Sequence, residues 1–169
     1  MTEKLKKSLL ALALALAWAA SPAAAQNLPP AANIQDPQTV EGREAIHLTT
    51  LGTYSAGFVL QSYGYIGILA DVLSKDVYGP DVVRSMLGET ITYLTNARAR
   101  LDYYQGQNFT ISKEDQKFID SISEIIQNLI AEAEALSAFT RTRQSDDLKR
   151  FDAARLKAWG GIKNTLGVK

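Results

Sequence analysis

Glu44 and His47 come nearest, in type and spacing, to a reactive centre. Three residues apart in a helix, they place a carboxylate and an imidazole on one face. Glu-x-x-His is the ligand pattern of di-iron carboxylate bundles, which need two such motifs and further carboxylates. His47 is the only histidine in 169 residues, so one chain cannot assemble a full di-iron centre. The pair could still hold a mononuclear metal, or half of a site shared across a dimer. A three-residue match carries little information by itself. The plainer reading is an acidic residue at a helix start followed by a partly exposed imidazole.

Other chemistries lack essential parts. There is no cysteine, which removes disulfides, thiolate metal sites, a cysteine nucleophile, a lipid-bearing N-terminal Cys and C-x-x-C-H haem attachment. A hydrolytic triad needs a base beside its nucleophile. One histidine and no G-x-S-x-G elbow give no case for one. The glycines lie within helical sequence rather than after a strand, so no phosphate loop is legible. No cofactor is expected. Lys+Arg and Asp+Glu are both 18, and this zero balance argues against a generally basic nucleic-acid binder. Thr140-Arg141-Thr142-Arg143 and Lys149-Arg150 are read as solvated helix-end cations, and Asp146-Asp147 and Glu132/Glu134 as solvated carboxylates at a cap and on polar faces.

The elements that would position any site begin after an N-terminal segment with its own logic. Lys4, Lys6 and Lys7 precede an apolar run of 12 residues from Leu9 to Ala20, then Pro22 and the small-residue site Ala23-Ala24-Ala25. Residues 1–25 therefore read as a secretory signal peptide. The run is shorter than the roughly 20 residues that span a bilayer. Cleavage before Gln26 would remove three Lys and one Glu, leaving the remainder a net charge of −2. The expected location is periplasmic or secreted, with no stable membrane span after cleavage. Residues 26–37, QNLPPAANIQDP, read as an extended tether, because four of the five prolines lie before residue 38 and the fifth is Pro80.

Residues 38–169 read as one all-α domain, an up-down-up-down four-helix bundle. The first helix should run from about Gln38 to Asp76, and the second from Pro80 to Tyr104 with the stripe Val83, Leu87, Ile91, Leu94, Leu101 and Tyr104. The loop 105–108 precedes Ser112, which should cap the third helix. That helix has a wide apolar face from Phe118 to Leu136. Ser145 should cap the fourth, with the stripe Leu148, Phe151, Leu156, Trp159, Ile162 and Leu166. Asn108-Phe109-Thr110 matches a glycosylation sequon and is read as chance.

The first helix stands out. Residues 45–70 carry no formal charge. His47, Gln61, Tyr54, Tyr63 and Tyr65 make it too polar for a typical membrane span, so it is expected to be buried on most sides. Gly57, Gly64 and Gly67 lie near one stripe with Thr50 and Thr53, read as a helix-packing contact or an oligomer seam. A second stripe, including Leu51, Tyr54, Phe58, Gln61, Tyr65 and Ile68, mixes bulky and hydrogen-bonding groups. With Arg98 and Arg155 from other helices, Tyr54, Gln61 and Tyr65 are the candidate ligand-pocket residues. The functional expectation is a non-catalytic binding or interaction protein, its partner a protein, a small ligand or a second copy of itself. The alternative is a metal-binding protein or metalloenzyme using Glu44 and His47.

Overall fold

A computed structural model describes residues 40–107 and 112–168. The proposed leader, the tether and the sequon lie outside these residues. The described chain is all-α, with four helices and no strand: α1 (Val40–Ser74), α2 (Pro80–Gln105), α3 (Lys113–Thr142) and α4 (Ser145–Leu166).

The boundaries follow local chemistry. Pro80 occupies the first turn of α2, where its missing N–H would have had no intrahelical partner. Ser112 caps α3: its Oγ accepts the Asp115 N–H at 3.0 Å. Arg143 ends that helix in the left-handed region, φ 54°. The start of α4 differs from expectation. Ser145 is its first residue rather than its cap; Gln144 takes the cap position and donates its N–H to Thr142 Oγ1.

The third helix is the hub and packs against each of the other three. Ile119, Ile122, Ile125, Ile126, Leu129, Ala133 and Leu136 are all buried, as their spacing predicts. Val83, Leu87, Leu94 and Leu101 cover one side of it from α2. The stripe of α4 is shifted from the expected one. Leu156 is 72% exposed and Leu148 also faces solvent, while Phe151, Ala154, Ala158 and Ile162 are buried. Small residues let α4 approach α3 closely, and a Cβ on Gly161 would sit 2.7 Å from Ile125 Cγ1.

The first helix departs furthest from expectation. It is not buried on most sides: 22% of the residues in its most apolar stretch are fully buried, and the others are half-buried or exposed. By length and composition Gly42–Ser74 could cross a membrane. Yet its aliphatic residues face inward, with Val59, Ile66, Leu69 and Leu73 buried, while Thr49, Thr53, Gly57, Gln61 and Gly64 are exposed. The two sides of the helix thus differ in burial more than in polarity, since neither carries a charge between residues 45 and 70.

Candidate functional site

One polar cluster lies deep between α1, α3 and α4. Glu132 of α3 is fully buried, 0% exposed. Arg155 of α4 donates from Nη1 to Glu132 Oε1 at 2.6 Å. The same nitrogen points at the Tyr63 carbonyl at 3.5 Å, and the guanidinium lies 4.1 Å from the centre of the Tyr63 ring. That ring also stacks with Trp159, centroids 5.3 Å apart. A cation on an aromatic face with its charge paired to a carboxylate is a strongly positioned group.

The second oxygen of Glu132, Oε2, is buried without a hydrogen-bond partner among the described residues. An ionised carboxylate in such a place is costly. Burial therefore pushes the Glu132 carboxyl up to about 7, although the hydrogen bond and charge of Arg155 pull it down. Tyr63 is also raised, first by burial, against the lowering charge of Arg155. The reading of Glu132 as a solvated carboxylate is overturned. So is that of Asp147, which is buried and accepts from Thr142 Oγ1 and Arg150. Glu134 is exposed as expected.

Both charges occupy apolar stripes. Ile125, Leu129, Glu132 and Leu136 are spaced four, three and four apart, as are Phe151, Arg155, Ala158 and Ile162. Each row is buried apart from the part-exposed Arg155. That matched interruption was the available signal for Glu132.

The glycine stripe divides in two. A Cβ on Gly67 would sit 2.7 Å from Arg155 Nη2 and 3.2 Å from its Cζ, so the absence of a side chain here makes room for the guanidinium. Around Gly57 and Gly64 nothing lies within 4 Å of such a Cβ. They therefore make no close packing contact among the described residues. Gly57 precedes Ile66, and Gly64 precedes Leu73, by about two and a half helical turns, which places them opposite the core face. Gly57→Ala and Gly64→Ala should each stabilise the dilute, monomeric chain by about 0.8–1 kcal/mol through helix propensity. Gly67→Ala should instead cost about 1–3 kcal/mol, because the displaced guanidinium is anchored by Glu132 and Tyr63. Urea unfolding of the three variants checks the opposite signs.

The five candidate ligand-pocket residues are not brought together. Gln61 and Tyr65 line a groove of about 280 Å³ between α1 and α2. Arg98 lies in a polar groove of about 320 Å³ between α2 and α3, near Asp120 and Glu124, with its Nε buried and unpartnered among the described residues. Arg155 belongs to the buried cluster, and Tyr54 is 75% exposed. Gln61, Tyr65 and Arg98 thus face two grooves, and no single polar pocket joins the five. Glu44 and His47 are both exposed. Glu44 lies close enough to Tyr104 of α2 to help raise its hydroxyl, after burial. Among the described residues no three His, Cys, Asp or Glu side chains group into a metal-binding set.

No protein-family model, curated protein or solved structure matches the chain. A functional reading therefore rests on this chain's own geometry. That geometry consists of a buried ion pair that locks α1 to α3 and α4, an uncharged outward face on α1, and two grooves that flank α2.

Proposed function

We propose that the protein is an exported, non-catalytic helical-bundle binding protein whose binding element is α1. The observation that carries this reading is the mismatch between the composition and the burial of that helix. Residues 45–70 hold no formal charge, yet only Val59, Ile66 and Leu69 among them are fully buried, while Thr49, Thr53, Tyr54, Gly57, Gln61 and Gly64 are exposed. A helix exposed this far usually carries charges on its outer face. Here that face presents Thr53, Gly57 and Gly64, with Tyr54 at its edge.

The occupant we propose for this face is a second copy of the chain. Two uncharged faces meet without like-charge repulsion, and glycines let a second backbone come near. Export is part of the same reading: residues 1–25 as the leader, 26–37 as the tether, and a periplasmic or secreted location. So is an up-down-up-down arrangement, which the short connections 75–79 and 143–144 support.

Sedimentation equilibrium of the full chain tests the proposal. The wild type should self-associate, with a melting temperature that rises with concentration. Gly57→Glu combined with Gly64→Glu should give a monomer of unchanged helicity, because a side chain at either position meets none of the other described residues. A wild type that remains monomeric at about 1 mM, where binding worth about 4 kcal/mol would show, overturns it.

A further inference from the structure

We propose that the groove between α1 and α2 binds a small organic cation, an ammonium or guanidinium ion bearing an aryl or short alkyl group, with Glu89 as its counter-ion. The groove is built from two facing helical rows. Phe58, Gln61 and Tyr65 come from α1, and Met86, Glu89 and Tyr93 from α2. Its volume of about 280 Å³ is at the small end for ligand sites. The floor is apolar, with buried Leu94 beneath half-buried Phe58 and Met86.

Charge selects the ligand class. Glu89 is exposed and makes no ion pair or hydrogen bond with any described residue. No Lys or Arg lines the groove. Exposed Glu114 and Glu134 likewise make no ion pair with a described residue, so what sets Glu89 apart is its place in this groove. For Glu89 the residue four positions on is Tyr93 rather than a cation, and Tyr65 stands across the groove. The Glu89 carboxylate helps raise the Tyr65 hydroxyl, second to burial, which marks the two as neighbours. One unpaired carboxylate between two tyrosine rings above an apolar floor suits a cation with a hydrophobic body. The ring faces attract the positive centre, and the floor takes the apolar group. Glu89 would repel an anion, and a neutral ligand would gain nothing from its charge.

The groove borders the outward face of α1, with Gln61 in the same helical row as Gly57 and Gly64, but its charge comes from Glu89 of α2. A chain that proves monomeric can still bind the cation, and an associating chain can fail to.

The test follows the methyl resonance of Met86, one of only two methionines in the chain. Benzyltrimethylammonium should shift it saturably, with a Kd of about 1 mM or below. Benzyl alcohol should bind at least about fivefold more weakly, and benzoate should not bind. Glu89→Gln should weaken the cation about fivefold, the range of a single exposed ion pair, with no change in thermal melting. Glu124→Gln, in the other groove, should leave binding unchanged. Equal affinity for the cation and benzyl alcohol, or an unaltered Kd in Glu89→Gln, would overturn the assignment. So would the absence of a saturable shift.

Discussion

Arg155→Met should destabilise the protein by about 2 kcal/mol at pH 8, and by about 1 kcal/mol at pH 5. The difference arises because Glu132 without its partner stays protonated at pH 8 instead of titrating at about 7, which costs up to about 1.4 kcal/mol more than in the wild type. Glu132 is fully buried, and Arg155 is its only hydrogen-bond partner among the described residues. Methionine retains much of the apolar stem that packs on Tyr63 but supplies no donor. The second figure is what remains when Glu132 is protonated, chiefly the lost cation–ring contact with Tyr63.

The pH dependence has a definite sign. The folded protein holds the Glu132 carboxyl at about 7, above its ordinary value of 4.5. Folding therefore favours the protonated form. The stability this contributes is fully present below about 4.5 and is lost as pH rises through about 7, a change of order 3 kcal/mol. Without Arg155 both lowering influences vanish, the carboxyl rises further, and the loss extends to higher pH. Urea unfolding followed by circular dichroism at pH 5 and pH 8 reads the difference directly. A loss of equal size at both pH values would place the effect in packing and take Glu132 out of the explanation.

This cluster also shows where the sequence is legible and where it is not. Pro80, Ser112 and the spacing of apolar residues in α2 and α3 dictate helix positions to within a residue or two, because caps and stripes are local. The facing of α1 is a different kind of question. Val59, Ile66, Leu69 and Leu73 form the buried row, yet Leu51, Tyr54, Phe58, Tyr65 and Ile68 are as bulky and lie within the same uncharged stretch. With no charge on either row, amphipathicity cannot choose between them, and packing against α3 decides. On α4, Leu156 looks like a core residue by type, but Arg155 beside it takes the inward position through Glu132. A charge is admitted to that interior only because a second charge lies opposite on α3, and spacing within either helix cannot reveal that pairing. Gly67 belongs to the same set: its missing side chain makes room for a guanidinium that lies 88 residues away in sequence.

Replacing both charges should undo the damage done by replacing one. Glu132→Met with Arg155→Met should unfold at least as late in urea as the wild type at pH 8, against the loss of about 2 kcal/mol expected for Arg155→Met alone. A buried ion pair repays its desolvation only when its remaining hydrogen-bonding groups are satisfied, and Glu132 Oε2 is not. Leu129, Ala133, Leu136, Phe151 and Ala158 supply an apolar setting into which two flexible methionines can pack. The double variant should also lose the fall in stability between about pH 4.5 and 7, since the group that titrates there is gone. A gain of 1–4 kcal/mol over the wild type would match the usual outcome of such replacements. In that case the pair fixes how α1 sits against α3 and α4, through Tyr63 and Gly67, at a net cost in stability. A double variant as unstable as Arg155→Met would show the opposite. The pair would then be a net source of stability, and the unpartnered oxygen would cost less than its burial implies.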